Sequence, residues 1–141
     1  MVFLWNNYKM NTFTDILREH NLKATPQRLA ILHIISKYGH INIDSLYNEI
    51  KEQFSSISLA TIYKNINSMT DEKLLVEVKL PNTKSVYEII KEGHAHLKCE
   101  ACGDVEDMSI DTSVFSKISN EHHFKVNHSD VILSGICKNC Q

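Results

Sequence analysis

Four cysteines near the end of the sequence form two CxxC pairs, Cys99 with Cys102 and Cys137 with Cys140. Two thiolates separated by two residues can chelate one metal ion, because the turn between them points both sulfurs at a position about 2.3 Å away. Two such pairs complete the sulfur tetrahedron of a structural Zn²⁺ site. The 34 residues between Cys102 and Cys137 exceed the spacing of a compact zinc ribbon, so an intervening strand-helix-strand unit must bring the pairs together.

A redox dithiol is the alternative interpretation of either CxxC pair. Neither pair lies in a βαβ pattern and the flanking residues are charged, which favours zinc. The amino terminus has no basic segment or small-residue cleavage site, and no apolar run approaches the roughly 20 residues of a membrane span. We therefore expect a cytoplasmic protein without membrane contact, whose reduced thiols bind metal. Residues 1–9 are a possible extension, since Met10 offers a second start.

A second group of side chains offers nitrogen and oxygen donors. His94 and His96 form an HxH motif, and residues two apart on a strand project from the same face, so both can bind one ion. His40 follows a predicted helix end, while Glu88 and Asp107 add carboxylate oxygens. Taken singly, each of these residue types is more often an ordinary surface residue than a metal ligand.

Helix caps and apolar spacing predict the elements that position these residues. Four helices are expected, beginning near Thr12, Thr25, Asn42 and Ser58. Pro26 after Thr25 is favoured at a first helical position, and Gly39 marks the end of that second helix.

The fourth helix and the segment after it have the order of a winged helix. The predicted inner face of the fourth helix consists of Leu59, Ile62, Ile66 and Met69. The segments LLVEVKL and SVYEII alternate apolar and polar residues around the turn at 81–84, which predicts a hairpin. In winged-helix proteins the helix ahead of the hairpin enters the major groove of DNA.

Beyond Gly93 the pattern predicts short strands around one helix. The helix runs from about Thr112 to His122, and strands are predicted in HLKCEACGDVEDM, FKVN and VILSGIC. The fold class is therefore α+β, with an amino-terminal domain at 1–90 and a carboxy-terminal domain at 91–141. The net charge of −2 gives no basic surplus, so any contact with DNA must come from locally placed residues.

The segments ATPQR at 24–28, SLATIYKNI at 58–66, HAHLKCEACG at 94–103 and the terminal CKNC resemble the ferric uptake regulator family in order and spacing. The resemblance implies an N-terminal winged helix followed by a small α/β dimerisation domain with a four-cysteine zinc site. It implies a metal-dependent DNA-binding transcriptional repressor, not an enzyme, whose partners are double-stranded operator DNA and a second copy of the chain.

The resemblance also implies a regulatory metal between the two halves. Its ligands, carried over by position, are His40, Glu88, His94, His96 and Asp107. Three imidazoles and two carboxylates without a thiolate suit Fe²⁺ or Mn²⁺.

Sequence differences within the family point to its peroxide-responsive branch. A further metal site of the iron-uptake branch has lost most of its ligands here, with Gly93, Ala95 and Val114 in their places and only His128 remaining. Asp107 also resembles the peroxide-responsive branch, which has Asp rather than Glu at this ligand position. The resemblance therefore implies a repressor that senses peroxide, its only small-molecule partner, through metal-catalysed oxidation of histidine ligands.

The oxidised pair implied by the resemblance is His40 and His94. Glu88 stands where the peroxide-responsive branch often has Asp, and a longer carboxylate could bind through both oxygens and occupy the position that peroxide needs. An iron-responsive regulator of iron-uptake genes is therefore the alternative function. A non-haem metalloenzyme is a further alternative, but it leaves the winged-helix pattern unexplained.

Four residues are predicted to contact DNA. Thr61, Tyr63 and Lys64 lie on the outer face of the fourth helix, where the Tyr63 ring can touch a thymine methyl group and Lys64 can reach a guanine edge or a phosphate. The family often has Arg where Lys64 stands, and a lysine ammonium lacks the planar fork with which Arg makes two parallel hydrogen bonds to guanine. Arg28 matches the basic residue of the family's TPQR segment, which implies a phosphate contact.

Overall fold

The computed structural model describes residues 12–141. The chain divides into two compact units, Met1–Lys91 and Glu92–Gln141. The possible extension at residues 1–9 lies outside the described residues.

Four helices form most of the first unit, and each begins at a predicted cap. They are α1 (Phe13–Glu19), α2 (Pro26–Tyr38), α3 (Ile43–Lys51) and α4 (Leu59–Asp71). The side-chain oxygens of Thr12, Thr25, Asn42 and Ser58 each accept a hydrogen bond from the backbone N–H three residues later. Such caps satisfy backbone donors that the first helical turn leaves unpaired.

A two-stranded antiparallel hairpin completes the first unit, with β1 (Leu75–Val78) and β2 (Val86–Ile89) in register so that Val76 faces Glu88. The hairpin packs on a core that includes Ile31, Leu46 and Ile66. Three helices, a fourth helix and a hairpin are the predicted winged-helix order.

The predicted inner face of α4 is correct for Ile62, Ile66 and Met69, which are fully buried. It is wrong for Leu59, whose side chain is 39% exposed. Leu59 is the first residue of the helix, where the turn beside the Ser58 cap projects beyond the core.

The second unit is a three-stranded sheet with one helix. Its elements are β3 (His94–Cys99), β4 (Val105–Ser109), α5 (Ser113–His122) and β5 (Ile132–Gly135). The strand order is β4-β3-β5, with β3 antiparallel to β4 and parallel to β5. A parallel pair needs a long crossover connection, which the segment containing α5 provides.

The strand predicted in FKVN at 124–127 is wrong, because this segment is irregular. The backbone at the start of this segment instead forms the turn that ends α5. His123 adopts a left-handed conformation with φ 50°, and the Phe124 N–H donates to the Ser119 carbonyl. This turn ends the helix and engages the Phe124 N–H, which therefore does not pair with a neighbouring strand.

Candidate metal centres and nucleic-acid interface

The four cysteines meet because the sheet of the second unit brings two strand ends together. Cys99 ends β3 and faces Gly135 at the end of β5, while Cys137 and Cys140 follow β5. All four Sγ atoms lie within 4.8 Å of one another. The Sγ atoms of Cys102 and Cys137 are 3.9 Å apart, close to the roughly 3.8 Å between two sulfurs bound 2.3 Å from a tetrahedral zinc ion.

Backbone donors prepare Cys99 to bind as a thiolate. The N–H groups of Cys102 and Cys137 point at its Sγ from 3.5 and 3.4 Å, and these hydrogen bonds lower the pKa of Cys99 to about 6. The hydrogen bond that Cys140 shares with the Cys137 sulfur contributes most to raising the Cys140 pKa to about 12. Four crowded sulfurs therefore resist full ionisation on their own, and a cation fits this donor set.

The apolar core of the second unit is small. Among residues 92–141 only Ala95, His96 and Cys99 are buried. Large apolar side chains on this unit are exposed instead, and they include Val114, Ile118, Phe124, Leu133 and Ile136. A unit of this size with so little buried surface needs a metal, an oligomeric partner or both to remain folded.

In the first unit, His40 and Glu88 form a close pair. His40 follows Gly39, which ends α2 with φ 76°, and the next residue, Ile41, pairs with Tyr87 of β2. This pairing places the Nε2 atom of His40 3.0 Å from the Oε2 atom of Glu88, which is 2% exposed. A buried carboxylate requires such a partner, because isolation from water disfavours its charge.

In the second unit, two imidazoles and one carboxylate converge. The Nε2 atoms of His94 and His96 are 3.1 Å apart. The Oδ1 atom of Asp107, which faces His96 across the β3–β4 pair, lies 3.8 Å from the first and 3.6 Å from the second. Ligands about 2.1 Å from one ion at right angles are about 3 Å apart, so this spacing suits a shared metal.

The Glu92 carbonyl oxygen orients one of these imidazoles. It lies 2.9 Å from Nδ1 of His94, so the Nδ1–H group can donate a hydrogen bond to it. In that tautomer, Nε2 is the ring atom that can bind a metal. Partners of this kind fix the tautomer and orientation of metal-binding histidines. The predicted regulatory ligands thus form two groups, one in each unit, and their sharing of a single ion stays a prediction.

Helix α4 presents an exposed face opposite its buried one. Tyr63 is 44% exposed and Lys64 is also exposed, as expected of residues that read DNA. Thr61 is half-buried, and its hydroxyl lies 2.9 Å from the Ser58 hydroxyl in the helix cap. Its N–H also binds the Ser58 oxygen, so Thr61 contributes to the start of the helix.

Arg28 lies in the first turn of α2 and is half-buried. Its Nη1 atom donates to the backbone carbonyl of Lys23 at 3.0 Å. The predicted phosphate ligand therefore has a bond within the protein.

The family model for the ferric uptake regulator family matches residues 19–134. The chain belongs to the ferric uptake regulator family. This match covers both units and includes every predicted metal ligand and DNA contact except Cys137 and Cys140, which follow it.

Relatives within the ferric uptake regulator family include peroxide regulators. The peroxide-responsive repressor of Staphylococcus aureus is 32% identical over 128 residues, covering 89% of this chain and 86% of its own. The peroxide stress regulator of Campylobacter jejuni is 42% identical with a TM-score of 0.73, over 89% of this chain and 96% of that one. The Vibrio cholerae ferric uptake regulator is 28% identical with a TM-score of 0.74, covering 89% of this chain and 99% of that one.

Membership of the ferric uptake regulator family confirms the predicted fold class and the class of metal-dependent, DNA-binding transcription regulators. The likeness to the peroxide-responsive branch is confirmed as well. Members of this family are dimeric regulators that bind DNA, the two partners expected from the sequence. In residues 12–141, no helix combines the length and apolar character needed to cross a membrane.

Sequence reasoning missed two groups beside the predicted ligands. The Nζ atom of Lys91 lies 3.7 Å from Oε2 of Glu88, and the Glu92 carbonyl orients His94. Lys91 could have been noticed as a cation three residues after Glu88, a predicted metal ligand. A backbone carbonyl carries no signal in the sequence, because every residue has one.

Proposed function

We propose that this protein is a cytoplasmic repressor that binds double-stranded operator DNA as a metal-loaded homodimer and releases it when peroxide oxidises its histidine ligands. The observation that carries the proposal is the convergence of the Nε2 atoms of His94 and His96, 3.1 Å apart, beside the Asp107 carboxylate. This donor set contains no sulfur and suits Fe²⁺ or Mn²⁺.

The regulatory ion links the two units in this proposal. His40 and Glu88 belong to the first unit, and Glu88 is three residues from its end at Lys91. His94 lies just after the start of the second unit at Glu92. An ion that binds both groups restricts how the units can be oriented. It thereby raises the population of the conformation that binds DNA.

Zinc has a different role, which is to stabilise the second unit. Cys99, Cys102, Cys137 and Cys140 hold it in a closed tetrahedron, so no position is left for a substrate. The exposed apolar side chains of this unit pack against a second copy of the chain. The dimer then presents two α4 helices to major grooves about 34 Å apart, or a small multiple of this distance.

Oxidation of an imidazole explains how peroxide ends repression. Ferrous iron, when bound, would activate hydrogen peroxide by passing an electron to it, and would regain that electron as the imidazole is oxidised. In the net reaction one peroxide oxygen enters an imidazole C–H bond of His40 or His94, and the other oxygen leaves as water. Peroxide is reduced and the histidine is oxidised. The altered ring binds metal poorly, so the ion is lost and the units are no longer held for DNA binding.

A gel-retention assay with a palindromic A·T-rich duplex tests the proposed function. The protein should retain the duplex with Mn²⁺ or Fe²⁺ and should lose it with a chelator. Peroxide should release the duplex from the iron form and leave the manganese form bound. Metal-independent retention, or chemical turnover without affinity for DNA, would contradict the proposal.

An iron-responsive regulator is the second candidate, and the buried Glu88 carboxylate favours it. If both Glu88 oxygens bind the ion, peroxide has no open position on it. DNA retention would then follow iron supply and would not respond to brief peroxide exposure.

Lys64 provides a test of the DNA-reading face of α4. Lys64→Met should weaken DNA binding by about tenfold or more, because a contact to a base edge contributes about 1–3 kcal/mol. Lys73→Met is the matched control, since Lys73 is exposed just beyond the end of α4. Titration of a labelled duplex in saturating Mn²⁺ gives both affinities. Equal losses of DNA affinity in the two variants would show that Lys64 contributes only its positive charge and makes no specific contact.

A further inference from the structure

Two side chains share one oxygen of the buried Glu88 carboxylate. The Oε2 atom of Glu88 lies 3.0 Å from Nε2 of His40 and 3.7 Å from Nζ of Lys91. A carboxylate that is removed from water needs compensation from neighbouring groups, and an ammonium group supplies a full positive charge. Lys91 is not one of the predicted metal ligands, yet it reaches the same oxygen that a metal ion would use.

The Lys91 side chain extends between an apolar cavity and solvent. With Phe13, Leu74 and Ile89, it lines an apolar cavity in the first unit, and 27% of the side chain is exposed. A lysine can keep its apolar stem against such a surface while its ammonium group stays in contact with water. The ammonium group can therefore move from Glu88 to solvent while the stem stays in place.

We propose that Lys91 competes with the regulatory ion for the Glu88 carboxylate and so sets the metal concentration at which the protein is loaded. A divalent cation bound to Oε2 meets the ammonium group at the same oxygen, and like charges this close repel each other. Binding therefore requires the ammonium group to withdraw, which costs its attraction to a buried carboxylate and weakens metal affinity. The inference rests on the proposed function, because it takes Glu88 as a ligand of the regulatory ion.

Calorimetric titration with Mn²⁺ tests this competition without DNA. The sample is the full chain with its zinc retained and the regulatory ion removed. Lys91→Met keeps an apolar stem and removes the charge, so its dissociation constant for Mn²⁺ should be about fivefold lower, the upper end of what a partly exposed ion pair contributes. Lys91→Arg, which keeps the charge, should restore most of the difference. Lys79→Met is the matched control, since Lys79 is exposed just after β1 in the same hairpin, and it should leave Mn²⁺ affinity unchanged.

A double-variant cycle tests whether Lys91 acts through Glu88. Glu88→Gln should weaken Mn²⁺ binding, because it removes a charged ligand. In that background Lys91→Met should have little further effect, because the carboxylate for which the two cations compete is gone. A gain of the same size in both backgrounds would overturn the inference, since it would show a general effect of charge.

Thermal unfolding separates competition from a structural ion pair. Without Mn²⁺, Lys91→Met should have a lower unfolding midpoint than the unchanged protein, because Glu88 loses its counter-charge. Saturating Mn²⁺ should reduce this difference, because the ion binds the variant more tightly. A lower midpoint with unchanged Mn²⁺ affinity would overturn the inference and leave Lys91 with a structural role alone.

The same titrations distinguish failure of the inference from failure of the proposed function. Unchanged Mn²⁺ affinity in Glu88→Gln would remove Glu88 from the proposed ligands and overturn the inference with it. Weaker binding in Glu88→Gln with no change in Lys91→Met would overturn the inference alone. If the protein binds Mn²⁺ but no DNA, the proposed repressor function fails, while the Mn²⁺ titrations still decide the role of Lys91.

Discussion

Replacing Cys137 with serine is expected to leave the protein without zinc and without a stable dimer. The four Sγ atoms lie within 4.8 Å of one another, so removing one opens a closed tetrahedral site. Zinc contributes about 10–16 kcal/mol to the folding of small zinc domains at neutral pH. The second unit has few buried residues to offset such a loss. Zinc content by elemental analysis should fall from about one per chain to near zero, and sedimentation should show monomer.

Ser134→Ala is the matched control for this variant. Ser134 is exposed on β5, three residues ahead of Cys137, and its hydroxyl is outside the sulfur cluster. It should keep zinc and the dimer. A Cys137→Ser protein that lacks zinc and remains a well-folded dimer would show that the zinc is dispensable for assembly.

Replacing His96 with alanine is expected to abolish activation of DNA binding by metal while the protein stays folded. Coupling between two binding sites is typically 5–150-fold, so we expect a gain of about 100-fold with saturating Mn²⁺ in the unchanged protein and almost none in the variant. His96 is 4% exposed, and its Nε2 is 3.1 Å from that of His94. Its loss removes a ligand from the centre of the donor group.

Circular dichroism and zinc content separate loss of regulation from loss of folding. Both should be unchanged in His96→Ala, because the cysteine site is intact. His122→Ala, an exposed histidine in the last turn of α5, should respond to Mn²⁺ as the unchanged protein does. Full activation of His96→Ala by Mn²⁺ would exclude His96 from the regulatory site.

Features that depend on neighbouring residues could be predicted from the sequence. The caps at Thr25 and Ser58 act over three residues, so their types and spacing specify where α2 and α4 begin. The CxxC pairs show which sulfurs can act together, and the HxH motif places two imidazoles on one face of β3. In each case short-range geometry is enough.

Features that depend on tertiary surroundings could not be predicted. The segment at 124–127 has the composition of a strand, but the Phe124 N–H closes α5. Leu59 has the spacing of a core residue and lies beyond the core at the helix start. The direction of Arg28 depends on a carbonyl five residues earlier, and a basic residue in the sequence does not reveal whether it points to solvent or to the backbone.

Mass spectrometry of the histidine peptides after peroxide treatment tests the central claim most directly. The iron-loaded protein should gain one oxygen atom on the peptide containing His40 or His94 and should release DNA in the same sample. The manganese-loaded protein should gain none and should stay bound, because manganese is the weaker reductant of peroxide. Release of DNA from the iron form with both histidines intact would contradict sensing by histidine oxidation. Retention of DNA by a fully oxidised protein would contradict it as well.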